Sequence, residues 1–377
     1  MLSFSLSGEQ EAIVSLARDL AQKAFKAKAF EWRLTNARPV ENLQRLRDVG
    51  LLGMTIPVEY GGGGRTPLES MLVTEAISSV CPTTAAFANV YDLGPTGTIS
   101  YLGSPEQKAW LLPKFARGEL EPSIAVTEPE AGSSMAGLRT TGRIEGDRCI
   151  INGGKIFTSR ADAADIFLVY VRFGEGSKNI GAVIVERGTP GLSIGPAKHH
   201  MSGDTWAPLY FDQCSVPAGH VVPVAKGYSD LIAIYSIERT AAAAKCLGIA
   251  QCALDRAVEY AHTRRQFGQP IAQFQGLRWK FADMALRLES ARLLTYRAAA
   301  NAQNGRPSRK ESSMAKLAAS EAACFVCDEA MQVLGAMGLS VEVGMEWLYR
   351  LARGYRVAGG TSEIHRNMIA DAVLDGR

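Results

Sequence analysis

Residues 124–134 of the 377-residue chain mark the point at which its pattern changes: Ile124-Ala125-Val126-Thr127-Glu128-Pro129-Glu130-Ala131-Gly132-Ser133-Ser134. A short apolar β run leads there into a turn that carries hydroxyls, a proline and a glycine. Such a turn can present backbone N–H groups and hydroxyls to a phosphate or to the edge of a planar ring. An ordinary exit from a strand into a loop has the same composition, so the segment alone leaves both interpretations open.

Upstream of this segment the sequence predicts short helices. Ser7-Gly8-Glu9-Gln10 is a capping-box pattern, which places a helix start at Ser7. Glycine and proline breakers divide the next hundred residues, and Gly61–Gly64 forms one glycine-rich loop. We expect an N-terminal helical domain over residues 1–122.

Downstream of the segment the sequence predicts β structure and then long helices. Apolar runs at 148–151, 165–171, 181–185 and 209–211 are separated by Gly, Pro and Asp turns, which indicates an antiparallel β domain over residues 123–223. Residues 224–377 are rich in alanine and poor in proline, which predicts a helical bundle domain. Three apolar seams at helical spacing support the bundle. They comprise Cys246, Ile249, Ala250, Ala253, Ala257, Tyr260 and Ala261; Phe281, Met284, Leu288, Ala291, Thr295 and Ala298; and Leu317, Ser320, Cys324, Cys327, Met331 and Leu334.

Charge and hydropathy exclude several classes of protein. The chain has 41 Lys and Arg against 38 Asp and Glu, a net charge of +3, so no broad basic face for nucleic acid is expected. The first residues lack a basic stretch followed by an apolar one, and no run approaches about eighteen uncharged apolar residues. We therefore expect neither a signal peptide nor a membrane span.

Cysteine and histidine usage gives no sign of a metal. The seven cysteines are an odd number spread along the chain, which favours free thiols and a cytoplasmic location. Cys324 and Cys327 lie on an apolar seam. His199 and His200 are adjacent, which would point their imidazoles apart in a strand, and we expect them to be loop histidines. Gly61–Gly64 lacks the Lys-Ser/Thr of a phosphate loop, and no G-x-G-x-x-G opens a helix after a strand. We expect no metal site and no Rossmann fold.

Three segments of the bundle region carry polar groups. Arg264–Ile271 has the composition of a helix C-terminus with cations and a glycine. Gly359-Gly360-Thr361-Ser362 predicts a helix start with Thr361 or Ser362 as the N-cap, where free N–H groups suit an anionic or polarised oxygen. Glu238-Arg239 is, by itself, an ordinary charged pair on a helix.

Taken in order along the chain, these segments resemble the acyl-CoA dehydrogenase family. The resemblance rests on Leu52-Gly53, Ile56–Gly62, Val126–Ser133, Arg264–Ile271 with Phe274-Gln275, Gln332–Gly335 and Gly360–Ile364, and it extends over nearly the whole chain. It implies an N-terminal helical domain, a middle β domain and a C-terminal four-helix bundle. It also implies a homotetramer in which FAD lies between β domain and bundle, with part of each flavin site supplied by a neighbouring subunit.

The resemblance also implies roles for individual residues. Those expected to contact FAD are Val126, Thr127, Gly132, Ser133, Phe157, Thr158, Arg264, Gln266, Phe267, Gln332, Gly335, Thr361 and Glu363. The substrate is expected to contact Ser133 and Arg239. Two departures alter the packing around the flavin ring: Ser134 stands where Asp is common, and Ile156-Phe157-Thr158-Ser159 is one residue shorter than the family's tryptophan-containing stretch.

The third departure concerns the catalytic base. Many members have a glutamate immediately before Gly-Thr-Ser, where this chain has Gly359. Isovaleryl-type and long-chain-type members carry the base on the bundle helix instead, immediately before an arginine. That position is Glu238 here, so we expect Glu238 to remove the Cα proton while hydride passes from Cβ to flavin N5. Gly359 would polarise the thioester oxygen through its backbone N–H.

The expected reaction is dehydrogenation of an acyl-CoA to the trans-2-enoyl-CoA, with electron-transferring flavoprotein as the acceptor. An acyl-carrier-protein thioester remains an alternative substrate. A desulfinase or oxidase is an alternative enzyme, although the desulfinase pattern lacks the helix carboxylate and has an arginine within the stretch that reads Thr83–Phe87 here. A catalytically silent binding protein of the DNA-associated branch of the superfamily is a further alternative. That branch carries an additional basic C-terminal region, whereas the net charge of this chain is only +3. The sequence does not indicate the length or branching of the acyl group.

Overall fold

The computed structural model describes residues 5–29, 31–32, 37–302 and 305–375. Its α-helices are α1 (Gly8–Leu20), α2 (Val40–Asp48), α3 (Pro67–Ser78), α4 (Pro82–Asp92), α5 (Gly94–Leu102), α6 (Pro105–Ala116), α7 (Tyr228–Thr263), α8 (Gln275–Ala300), α9 (Arg309–Leu334), α10 (Ala336–Leu339), α11 (Met345–Tyr355) and α12 (Ser362–Leu374). Its strands are β1 (Pro122–Ala125), β2 (Thr141–Glu145), β3 (Arg148–Ser159), β4 (Ile166–Arg172), β5 (Ile180–Glu186), β6 (Leu192–Ile194), β7 (Lys198–His199), β8 (Thr205–Pro217), β9 (Val221–Val222), β10 (Arg265–Gln266) and β11 (Gln269–Pro270).

The order helical, β, helical agrees with the sequence prediction, and so do its local signals. The Ser7 hydroxyl accepts from Gln10 N–H while the Gln10 side chain accepts from Ser7 N–H, which forms the predicted capping box at the start of α1. Ser104 and Gln107 form a second box at the start of α6, which the same S-x-x-Q signature could have revealed.

The β region forms one sheet with the order β6-β8-β3-β2-β4-β5-β9, in which β1 also pairs with β4 and β7 with β8. Most pairings are antiparallel, but β1 runs parallel to β4, and β2 makes one parallel pair with β4. β4 and β5 are buried along almost their whole length, because both faces of these strands are covered. The apolar side chains of β3, β4, β5 and β8 form the core of this region.

The bundle region forms a second core. All three predicted seams face inward on α7, α8 and α9: most of their members are fully buried, and Tyr260, Phe281, Leu317, Cys324 and Met331 are half-buried. Alanine is the commonest residue of this core, and its small side chain lets helices approach closely. The seven cysteines are free, and Cys327 belongs to this core.

By contact density the chain divides into two compact units. Unit 1 comprises Met1–Asn42, Pro67–Phe87 and Glu238–Arg377, and unit 2 comprises Leu43–Thr66 and Ala88–Ile237. Unit 1 contains the bundle core and unit 2 contains the sheet core. The N-terminal helical region therefore contributes residues to both units.

The glycine run in unit 2 has a packing explanation. A Cβ at Gly62 would lie 2.2 Å from Ile56 O, and one at Gly63 would lie 2.9 Å from Met54 O. Gly64 N–H donates to Ile56 O, so the loop folds back against residues 54–56. Only glycine permits so close an approach of two backbone segments.

Candidate functional site

Glu238 lies on α7 with its side chain 30% exposed. Its Oε1 is 3.6 Å from Lys245 Nζ, whereas its Oε2 is buried and has no hydrogen-bond partner among the described residues. A carboxylate oxygen that is withdrawn from water and accepts no hydrogen bond is available to take a proton. The predicted base is thus placed with one engaged and one unengaged oxygen.

Lys245 was not among the predicted site residues. It lies two helical turns beyond Glu238, so both side chains project from the same face of α7. Its ammonium is also 5.7 Å from the centre of the Tyr355 ring at the end of α11. The sequence signal was a single lysine that follows Ala241–Ala244 at seven residues from Glu238.

Gly359 and Gly360 precede α12 and both have positive φ, at +72° and +105°. Gly359 O accepts from Arg239 Nε at 3.5 Å, and Gly360 O accepts from Lys316 Nζ at 2.5 Å. Of the two predicted N-caps, Thr361 and Ser362, it is Thr361 that caps α12, because its hydroxyl accepts from Ile364 N–H. The structure therefore brings Arg239, the neighbour of the predicted base, to the loop that contains Gly359.

A Cβ at Gly359 would meet no atom within 4 Å. The space beside Gly359 is therefore open within unit 1. Gly359 N–H donates no hydrogen bond within the described residues, so it remains a free donor. Position 359 therefore offers a backbone donor and no side chain.

Three buried basic side chains surround the Gly359–Gly360 loop: Arg239, Lys316 and His365. Burial lowers the pKa of Lys316 to about 8. Burial, followed by repulsion from Lys316 and Arg239, lowers the pKa of His365 to about 3, so its imidazole is neutral at physiological pH. Neither Lys316 nor His365 was predicted, since only the fold brings α9 and α12 to this loop.

In unit 2 the predicted flavin segment is held by a buried ion pair. Lys155 Nζ donates to Val126 O at 3.0 Å and to Glu128 Oε1 at 2.7 Å, and Ile156 N–H donates to Thr127 O at 2.8 Å. Burial lowers the pKa of Lys155 to about 8. Burial also opposes ionisation of Glu128, but hydrogen bonds, chiefly from Lys155, keep its pKa below the usual value. Neither Lys155 nor Glu128 was among the predicted site residues.

Glu128 also closes the turn that follows. Its carboxylate accepts from Arg139 N–H at 2.6 Å and from Thr140 N–H at 3.0 Å. Between these anchored ends, Gly132 and Ser133 are exposed to solvent. The turn is therefore fixed at its base and accessible at its tip, which suits contact with a ligand.

Phe157 and Thr158 lie at an irregularity of β3, where the register with β8 shifts between Lys155 and Thr158. Phe157 has φ of +57° and an exposed ring, 4.7 Å from the Trp206 ring. Thr158 Oγ1 is buried and has no partner among the described residues. An exposed aromatic face beside an unsatisfied hydroxyl fits a planar, hydrogen-bonding ring such as a flavin.

The remaining predicted contacts are on the surface of unit 1. Phe267 is 93% exposed at the tip of the β10–β11 hairpin, and its ring meets the edge of Phe274. Gln332 and Gly335 are exposed at the end of α9, and Arg264, Gln266 and Glu363 are exposed as well. These positions are accessible to a partner or ligand.

The described part of the chain contains neither a metal-binding cluster nor a membrane-spanning helix. It contains no group of three His, Cys, Asp or Glu side chains that could hold a metal ion. Every helix in it falls short of the length or apolarity that crossing a membrane requires.

Three family models match the chain in succession. The model "Acyl-CoA dehydrogenase, N-terminal domain" matches residues 7–119, the middle-domain model matches 123–214, and the C-terminal-domain model matches 225–374. Together they account for most of the chain.

Individual proteins are similar over nearly their whole length. The human mitochondrial short-chain specific acyl-CoA dehydrogenase is 37% identical, with 99% of this chain and 92% of that protein covered. Butyryl-CoA dehydrogenase from Megasphaera elsdenii superimposes with a TM-score of 0.93 at 30% identity, covering 99% of this chain and 100% of that one. The FAD complex of PigA gives a TM-score of 0.93 at 26% identity, covering 99% of both chains.

Proposed function

Since the chain belongs to the acyl-CoA dehydrogenase family, we propose that it dehydrogenates an acyl-CoA between Cα and Cβ, and that Glu238 is the base. One observation carries the proposal: Glu238 Oε2 is buried and unpartnered, while position 359 offers no side chain. This pairing supports the arrangement of the isovaleryl-type and long-chain-type members.

FAD is the proposed cofactor, and it would supply the hydride acceptor. The support in unit 2 is the exposed Phe157 ring beside the unsatisfied Thr158 hydroxyl, together with the exposed turn at Gly132 and Ser133. In unit 1, Thr361 and Glu363 would contact the flavin from the start of α12. There Glu363's own N–H, and then the Thr361 hydroxyl, hold the pKa of the Glu363 carboxyl below its usual value.

The residues of unit 1 would accept the Cα proton and polarise the thioester. Glu238 Oε2 would accept the Cα proton, and Gly359 N–H would donate to the thioester oxygen as it gains negative charge. A Cα proton is weakly acidic, so its removal requires both groups together. Lys245 Nζ lies 3.6 Å from Glu238 Oε1. This ion pair stabilises the negative charge of the Glu238 carboxylate before the carboxylate takes up the Cα proton.

We propose a homotetramer in which a neighbouring subunit completes each flavin site. The support is an exposed apolar stripe on α8, formed at seven-residue spacing by Trp279, Leu286 and Leu293. Phe267 projects from the hairpin that follows α7 and is almost fully exposed. Arg264, Gln266, Phe267, Gln332 and Gly335 would contact the neighbour's flavin.

The acceptor and the thioester carrier follow from resemblance. Electron-transferring flavoprotein is the proposed acceptor, and coenzyme A is the proposed carrier, with an acyl-carrier protein as the alternative. The free thiols fit the reducing cytoplasm.

Two observations oppose the desulfinase alternative. The carboxylate that this type lacks is present as Glu238. Where this type has an arginine for a second anionic group, α4 presents Thr83–Phe87, and Thr84 is engaged with Asn42 Nδ2. These residues support a neutral acyl group.

The test is substitution of the base. Glu238→Gln should retain bound FAD, since the shape is unchanged, but its anaerobic bleaching by an acyl-CoA should be slower by about 10³-fold, because an amide accepts no proton. Glu259→Gln, an exposed position on the same helix, is the matched control and should bleach at the parental rate. Bleaching of Glu238→Gln at the parental rate would exclude Glu238 as the base.

The substrate is then found with a panel. Straight, branched and cyclic acyl-CoAs are added anaerobically while the absorbance of oxidised flavin is followed. If none of them bleaches the parental protein, the proposal of an acyl-CoA dehydrogenase fails, and carrier-protein thioesters become the next substrates to try.

A further inference from the structure

Lys316 is a buried cation whose acidic neighbour, Glu363, is exposed and forms no ion pair with it in the described part of the chain. It is 1% exposed on α9, and no described carboxylate forms an ion pair with it. Its ammonium donates a hydrogen bond to a neutral acceptor, Gly360 O. Burial of an unpaired ammonium is costly, so a lysine that only filled space would be less favourable here than an apolar side chain.

The acceptor, Gly360 O, belongs to a segment whose two glycines place little restriction on its backbone conformation. Gly359 and Gly360 are consecutive glycines at positive φ, and without Cβ atoms they have wide conformational freedom. Lys316 from α9 and Arg239 from α7 donate to their two successive carbonyls. Fixing both carbonyl groups fixes the peptide planes of the pair, and with them the path of the chain that leads from Gly359 to α12.

We propose that Lys316 is a positioning residue for the oxyanion donor: through Gly360 O it holds the Gly359–Gly360 loop so that Gly359 N–H meets the thioester oxygen. The inference rests on the proposed function for the role of Gly359 N–H, but the restraint on the loop is independent of it. Because the base is not on this loop, Lys316 affects polarisation of the thioester and leaves Glu238 in place.

Three substitutions separate the parts of this role in the FAD-loaded protein. Lys316→Met removes the donor and the charge, Lys316→Gln retains a shorter neutral donor, and Lys316→Arg retains both donor and charge. Lys280→Met, which removes a half-exposed lysine paired with Glu329 on the same bundle, is the matched control.

Hydrogen exchange of peptides covering residues 356–362 is the first measurement, and it needs no substrate. Exchange should be fastest in Lys316→Met, intermediate in Lys316→Gln, and close to parental in Lys316→Arg and Lys280→Met. Should Lys316→Met fail to fold, the comparison of Lys316→Gln with Lys316→Arg decides. Parental exchange rates in both Lys316→Met and Lys316→Gln would overturn the inference. If Lys316→Met does not fold, a parental exchange rate in Lys316→Gln alone would overturn it.

Catalysis and spectra then test the consequence. With the acyl-CoA that bleaches fastest in the panel, Lys316→Met should lose about tenfold or more in kcat with KM within about twofold, since the interaction forms mainly in the transition state. The absorbance of bound 4-(dimethylamino)cinnamoyl-CoA should shift less to the red than with the parental protein, and Lys316→Arg should restore both properties. An unchanged kcat and red shift in Lys316→Met would overturn the role. A parental protein that no acyl-CoA bleaches would refute the proposed function while exchange still reports on the loop.

Discussion

Gly359 and Glu238 are the two single residues on which the proposed site depends. Glycine at 359 offers an N–H donor without a carboxylate, and a side chain there would meet open space. Glu238 provides a carboxylate with an unengaged oxygen on a different element. Neither residue is informative alone, because a glycine in a loop and a glutamate on a helix are both ordinary.

His365 leads to a prediction about pH and stability. Its folded-state pKa of about 3 is far below the usual 6.5, so between these values the unfolded chain binds more protons. The contribution of His365 to the free energy of unfolding is therefore fully present above about pH 6.5 and declines as the pH falls toward 3. Between pH 7.5 and pH 5 this decline is about 2 kcal/mol.

The measurement is urea unfolding of the parental protein and His365→Gln at pH 7.5 and 5. The variant should lose about 2 kcal/mol less between these pH values, because glutamine does not titrate. His262→Gln, at an exposed position on α7, should retain the parental pH dependence. Identical pH dependence of parental protein and His365→Gln would contradict the buried, neutral imidazole.

At the scale of elements, seams and caps were predictable and the details of β3 were not. Met284, Leu288 and Ala291 are buried on α8 as their spacing indicated, because helical periodicity is a local property. The register shift that exposes Phe157 depends on β8, which pairs with β3 from about fifty residues away. A local pattern carries no information about such a partner.

Lys155 on β3 leads to a prediction about stability, since its ammonium joins this strand to the turn at Val126 and Glu128. Lys155→Met should destabilise the protein by about 3–5 kcal/mol, because it leaves the Glu128 carboxylate buried without its cation. The double variant Lys155→Met/Glu128→Gln should recover part of this loss, since no unpaired charge remains. Urea unfolding measures both.

The matched control is an exposed ion pair in the same sheet. Arg143 and Glu145 on β2 are about half or more exposed, so Arg143→Met should change stability by less than about 1 kcal/mol. A similar cost for Arg143→Met and Lys155→Met would show that burial of the Lys155–Glu128 pair is not what makes it important.

At the scale of the whole molecule, the residues proposed to contact FAD and substrate are distributed over both compact units. Unit 1 carries Glu238, Gly359 and Thr361, and unit 2 carries the Val126–Ser133 turn and Phe157. The residues proposed for the site therefore do not come from a single stretch of the sequence.

The exposed stripe on α8 yields the prediction for assembly. Trp279→Glu should lower the molecular mass in solution below that of a tetramer, because a charge would be placed in a desolvated apolar contact. Size-exclusion chromatography with light scattering measures the mass, and the FAD content should fall with it. Val58→Glu, at an equally exposed apolar position in unit 2, should leave the mass unchanged. A parental monomer, or a tetrameric Trp279→Glu, would exclude the stripe as the contact.

The sequence by itself determined the order of helical and β regions, the helix caps and the family, because capping, periodicity and motif order are local along the chain. It also singled out Glu238, through the glycine at 359. Only the tertiary structure identified Lys245, Lys316 and His365 beside these residues, and Lys155 with Glu128 beneath the turn. The reason is physical: burial lowers the pKa values of Lys155, Lys316 and His365, and the partners of all these groups depend on how the chain folds around them.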